Sequence, residues 1–155
     1  MSERTAATPD TAAVQDAEAM PHRHLPLLTA ANRFFWQAGA HGALRFMACE
    51  ACAHLIHPPA PICARCKSRR VSEREVSGYG TVESYTINTH RWERGLEAPY
   101  VIAIVSIAEQ RDVRLTTNIV NCPVDAVHIG MRVRVKFERY DDVWLPLFEP
   151  DTERA

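Results

Sequence analysis

The chain has 155 residues, 18 Lys and Arg against 19 Asp and Glu, a net charge of −1 and 46% hydrophobic residues. That length supports one compact core or two small modules, and the near balance of interspersed charge gives no general pull toward polyanions or membrane surfaces. No apolar run reaches the ~20 residues of a membrane-spanning helix; the longest, from Tyr100 to Ala108, is strand-like.

Residues 1–24 read as a disordered tail, because SERTAATPDTAAVQDAEA has almost no large apolar side chain to bury. Acidic residues mixed through it argue against a transit peptide. Residues 25–42 contain LTAANRFFWQAGAHG and read as an N-terminal helix, with Thr29 able to cap it and Gly39 able to end it. Phe34, Phe35 and Trp36 are adjacent, so they point around most of the helix circumference. Either all three fill gaps between modules, or part of the helix docks on a partner protein. They are the candidate partner-binding residues.

Residues 43–76 carry two knuckles, Cys49-Glu-Ala-Cys52 and Cys63-Ala-Arg-Cys66. Each CxxC lets two thiolates curl around one ion from a tight turn, and the ten residues between the pairs are enough for a hairpin to return the second to the first. Four sulfurs at ~2.3 Å close a tetrahedral shell and leave no position for water, so the site holds structure rather than catalysing. Zinc, one ion per chain, is the expected occupant; a rubredoxin-like iron uses the same ligands and stays an alternative at this point. Two disulfides are disfavoured, since no secretory signal precedes the cysteines and Cys122 stands alone before Pro123. Cys122 itself reads as a small buried hydrophobe rather than a nucleophile. His54 and His57 are expected beside the ligand set or at the surface, and Arg65, Lys67, Arg69, Arg70 and Arg74 are expected to offset the negative thiolate cluster.

Residues 77–150 change to a strand pattern. Gly78 to Ile87 is β-branched and aromatic and opens with two glycines, as a strongly bent strand would. A polar loop from Thr89 to Pro99 carries an exposed-looking Trp92. Tyr100 to Ala108 is apolar at odd and even positions alike, so both faces of this strand are expected to be covered. Asp112 to Asn121 places Val113, Leu115 and Ile119 on one face. Met131 to Glu138 alternates, with Val133, Val135 and Phe137 inward and Arg132, Arg134 and Lys136 outward. Val143 to Phe148 is the last strand, its Pro146 best placed on an edge. Five strands with a break after the third read as a small Greek-key barrel of the OB type, and residues 151–155 as a C-terminal tail. The fold class is thus mostly β: helix, four-cysteine zinc ribbon, five-stranded barrel.

No catalytic group is assigned. His90, Glu93, Asp125 and His128 are the titratable loop residues near the barrel, but their spacing defines no known constellation. The thiolates are committed to metal, and no P-loop, paired acid or Ser/His/Asp pattern is present. Zinc ribbons and OB barrels also occur in single-stranded nucleic-acid binders, and the row of Arg132, Arg134 and Lys136 could meet phosphates. The near-zero net charge and the few aromatics interleaved with those cations disfavour that alternative.

The ordered set resembles the DUF35 family. Its carriers are Phe35-Trp36, Leu44 to Cys49, Pro61 to Cys66, Gly78 to Val82, Pro99 to Ile102, Gly130 to Val133 and Leu145 to Pro150. The resemblance runs from about Leu28 to Pro150; a departure is the segment Ala108 to Arg111, where the family more usually has a glycine. The free thiols point to the cytoplasm, and what the resemblance implies is a non-catalytic accessory subunit of a hetero-oligomer. Its partner would be a thiolase-like acyltransferase or lyase, whose acyl-CoA site it completes or stabilises, with coenzyme A or acyl-CoA met through the complex.

Overall fold

Short β-rich stretches assemble into eight strands in the computed structural model, which describes residues 23–92 and 96–152. The first three form the ribbon sheet. β1 (Leu44–Cys49) lies between β2 (Leu55–Ile56) and β3 (Val71–Val76), antiparallel to both. Leu44, Phe46 and Ala48 turn into the main core, whereas Met47 and Cys49 serve a second apolar cluster with Ile56, Cys63 and Val71. Alternation along one strand therefore splits the ribbon between a face for the protein and a face for the cysteines.

The remaining strands are β4 (Tyr79–Asn88), β5 (Tyr100–Ile107), β6 (Gln110–Ile119), β7 (Arg132–Tyr140) and β8 (Val143–Pro150). They close into a barrel in the order β4-β5-β6-β8-β7, the expected OB topology. Val82, Val101, Val105, Val133 and Phe148 fill it and are all but inaccessible. A register shift between Val82 and Ser84 bends β4, and a 3-10 turn, Val124–Ala126, occupies the break before β7. One seam is thin: β6 and β8 run parallel and pair only at Ile119 and Phe148. Barrel interior, ribbon face and Phe35 form one continuous core cluster.

The N-terminal helix is shorter than the sequence predicts. α1 spans Arg33–Gln37 and passes into a 3-10 segment, Ala38–His41. Its cap residue is Asn32 rather than Thr29; the Asn32 side chain accepts from Thr29 N–H at 2.8 Å and donates to Leu27 C=O at 3.0 Å, folding the turn ahead of the helix. Gly42, at φ 68°, ends the segment in place of Gly39. Gly39 serves close approach instead, since a Cβ there would lie 2.5 Å from both Phe137 and Trp144.

Other limits also move. Arg23 belongs to the folded part, donating to Asn118 Oδ1 at 3.0 Å, and Asp151 is buried with its N–H on Arg132 C=O at 3.0 Å; the remaining tail residues, 1–22 and 153–155, lie outside the described residues. β3 was not anticipated, because VSEREV has a valine only at each end; six register pairs with β1 hold it. Arg45 on β1 reaches Glu75 at 3.5 Å and Glu73 at 3.9 Å across that pairing. Val135 and Phe137 are half-buried rather than fully inward, since β4 pairs with β7 only up to Arg134 and the helical segment covers the rest. The outer face of β5 is covered only in part: Ser106 is buried and Ile102 half-buried, but Ile104 is 38% exposed.

Candidate metal centre and the surfaces around it

Both knuckles are built on the same hydrogen-bond plan. Cys49 N–H donates to His54 C=O and Ala53 N–H to Cys49 C=O, each at 2.9 Å; Cys63 N–H donates to Ser68 C=O and Lys67 N–H to Cys63 C=O, also at 2.9 Å. Ala53 and Lys67 take the matching left-handed position, at φ 61° and 62°. The turns bring all four sulfurs within 4.8 Å of one another, with Cys49 to Cys66 at 3.5 Å and Cys52 to Cys63 at 3.7 Å. A regular tetrahedron with ~2.3 Å zinc–sulfur bonds has edges of about 3.8 Å, so the set fits one zinc ion with its shell filled by protein.

The local electrostatics agree. Backbone N–H groups of Cys66 and Arg65 point at the Cys63 sulfur and hold its thiol below the ordinary value despite burial. Burial acts to raise the Cys49 thiol, but N–H groups of Cys52 and Ala51 together with the Cys66 and Cys52 sulfurs bring it down to about 6. At Cys52 the His54 N–H acts downward, whereas burial and the neighbouring sulfurs push the thiol up to about 12. Of the five nearby cations, Lys67 donates to Ala64 C=O at 2.8 Å and Arg74 to Ala53 C=O at 3.1 Å, so both brace knuckle backbone.

The histidines part company from the ligands. His54 is half-buried at the first knuckle, while His57 sits between Phe35 and Phe46, with ring centroids 5.1 and 5.3 Å away. Burial lowers the His57 imidazole's affinity for protons, and its Nδ1 is shielded without a partner. Phe35 is core, only 3% exposed; Trp36 meets it edge to face at 4.8 Å, and Trp36 and Phe34 remain half-buried.

Cys122 is half-buried against the core, where burial pushes its thiol up, so it is a poor nucleophile. His128 donates from Nδ1 to Ala126 C=O at 3.0 Å, Asp125 lies exposed in the 3-10 turn, and His90 packs on exposed Trp92 at 4.7 Å; Glu93 lies outside the described residues. Two of the three cations of the basic row on β7 are matched by acids on or just after β8: Arg134 reaches Glu149 at 3.0 Å and Arg132 reaches Asp151 at 3.8 Å. Two of its three charges are thus already met within the chain. Among the described residues no helix is long and apolar enough to cross a membrane.

The residues that join ribbon to barrel were not singled out from sequence. Glu109 accepts from Ser77 N–H at 2.6 Å, and Gln110 bonds both backbone groups of Leu55. These contacts span 32 and 55 positions along the chain, so no local motif signals them. The turn at Ala108 and Glu109, which lacks the expected glycine, adopts no positive φ and needs none.

Comparison with known proteins places these features. Residues 36–72 match the family described as the ChsH2 rubredoxin-like zinc ribbon domain, and residues 73–138 match the ChsH2 C-terminal OB-fold domain. The division falls inside β3, which begins in one match and ends in the other. A probable enoyl-CoA hydratase alpha subunit of Thermomonospora curvata is 36% identical over 129 residues, 83% of this chain but 40% of that protein. A DUF35 domain-containing scaffold protein of Methanothermobacter thermautotrophicus is 37% identical over 93 residues, 59% of this chain and 68% of that one. The solved Ltp2-ChsH2(DUF35) aldolase aligns with a TM-score of 0.73 at 35% identity, covering 81% of this chain and 98% of that chain.

Proposed function

Because the chain belongs to the DUF35 family of zinc-ribbon and OB-fold proteins, we propose that it is a non-catalytic accessory subunit of a thiolase-like acyl-CoA enzyme. Cys49, Cys52, Cys63 and Cys66 hold one structural zinc, which fixes the ribbon against the barrel. The partner supplies the reacting groups of an acyl transfer or carbon–carbon lyase reaction, and this chain completes or stabilises its acyl-CoA site. The half-buried faces of Phe34 and Trp36 meet the partner, while Phe35 serves the fold.

The observation that carries this reading is the alignment over 98% of a chain in an aldolase named for both Ltp2 and ChsH2(DUF35). The hydratase alpha subunit and the scaffold proteins support the same kind of role. Within this chain, the clustered cysteines and the ion pairs of Arg132 and Arg134 leave little that resembles independent chemistry. Affinity purification from the native host, with mass spectrometry and metal analysis of one sample, tests the proposal. A stoichiometric thiolase-like protein with one zinc per small chain is expected. Turnover of acyl-CoA by the purified chain alone, or a nucleic-acid-processing partner, would sink it.

A further inference from the structure

Where the segment after Arg23, the aromatic helix, the ribbon and the barrel meet, a groove of about 630 Å3 opens. Phe35, Trp36, Ile102, Leu115, Leu145 and Leu147 give it a mainly apolar wall. It lies along the thin seam between β6 and β8, so an occupant would rest on side chains rather than on a paired sheet. Its volume is that of a small-molecule site.

The polar groups on the groove are one-sided. Arg23 and Arg114 line it, and among the described residues no acidic one does. Arg114 is already engaged by Glu83. Arg23 is withdrawn from water: its side chain is 14% exposed, Asn118 and the Tyr140 hydroxyl are neutral partners, the Glu138 carboxylate stands at 4.0 Å, and its Nε is buried with no acceptor among the described residues. A guanidinium so withdrawn, whose one ion pair among the described residues is long and whose Nε has no acceptor there, still gains from a further anion. The other groove residue with a shielded, unpartnered nitrogen is His57, which burial makes harder to protonate.

We infer that the groove binds an amphipathic carboxylate, its apolar acyl or fused-ring body against Trp36, Ile102 and Leu145 and its anionic end beside Arg23. Binding needs no partner protein, so this site stands or falls separately from the accessory-subunit role.

Calorimetric titration of the zinc-loaded full chain with decanoate and 2-naphthoate, and with uncharged decan-1-ol, tests it. Saturable one-to-one binding is expected, with decanoate at least about 10-fold tighter than the alcohol. Arg23→Gln should erase that preference, and Ile102→Trp, which fills the groove from the outer face of β5, should abolish binding of all three. Thermal unfolding of both variants verifies that they fold; Arg23→Met and Thr116→Trp replace either one that does not. The inference is overturned if neither carboxylate saturates at millimolar concentration, if alcohol and carboxylate bind equally, or if the groove-filling variant binds as the parent does.

Discussion

The Gln110 side chain occupies the position of a missing strand beside Leu55. Its Oε1 accepts from Leu55 N–H at 2.7 Å and its Nε2 donates to Leu55 C=O at 3.1 Å, the paired exchange found between antiparallel strands. Leu55 lies on β2, whose one paired neighbour in the ribbon is β1. A barrel side chain thereby closes the outer edge of the ribbon sheet.

Gln110→Ala should therefore cost about 1–3 kcal/mol, because it strands two backbone groups at a residue only 3% exposed. Urea denaturation measures the loss, and amide exchange should accelerate at Leu55 first. Unchanged exchange there would mean that water replaces the amide without penalty.

Cys63→Ser should reduce bound zinc from one per chain to nearly none, since Cys63 is fully buried among the ligands and serine is a weak zinc donor. Metal analysis and amide NMR read the outcome: ribbon signals collapse while those of β5 and β6 persist. A variant that keeps its zinc would show that the cluster is not the metal site.

Phe35→Ala and Trp36→Ala should separate packing from docking. The first empties a core position and should cost about 3–5 kcal/mol of stability. Trp36→Ala, at a half-buried position, should lose less stability yet weaken association with the copurifying partner more. Equal loss of partner binding at matched stability would make the helix a purely internal wedge.

His57 sets a pH dependence with a definite sign. Burial keeps its folded value below that of the unfolded chain, whose imidazole titrates near 6.5. The contribution to stability is complete above about pH 6.5 and is lost as pH falls from there toward the lower folded value, because the unfolded chain takes up the proton first. In His57→Phe, denaturation midpoints measured from pH 7.5 to 5.5 should slope less than in the parent. Parallel slopes would place the proton uptake elsewhere.

Two glycines in one turn should respond for different reasons. Gly39→Ala forces a methyl group into Phe137 and Trp144 and should cost about 1–3 kcal/mol. Gly42→Ala meets open space and suffers only from its left-handed backbone, about 1 kcal/mol. Melting temperatures in that order are the expected result; the reverse order would mean that the helix simply slides away from β7 and β8.

Residues whose meaning is local were the ones readable in the chain. The CxxC pairs, the alternation through Val113 and Leu115, and Pro146 on an edge each carry their geometry in a few neighbouring positions. What escaped depends on distant partners. VSEREV looks like a loop until β1 supplies its ladder and Arg45 supplies its counter-charge, and Gln110 looks like a turn residue until Leu55 arrives beside it. Phe35 could not be told from Phe34 and Trp36, since only the positions of Phe46 and His57 decide which ring is enclosed. The groove at Arg23 likewise exists only after four separate segments have met.

Pro146 has a consequence for how other polypeptides can meet this barrel. It sits on the seam side of β8, where it offers no N–H, and its carbonyl already accepts from the Thr117 hydroxyl at 2.7 Å. At Pro146 an extended peptide laid into that slot would find neither the donor nor a free acceptor with which strands normally zip together. The opening in the barrel wall is therefore proof against runaway strand addition, and recognition there must proceed through side-chain shape and charge.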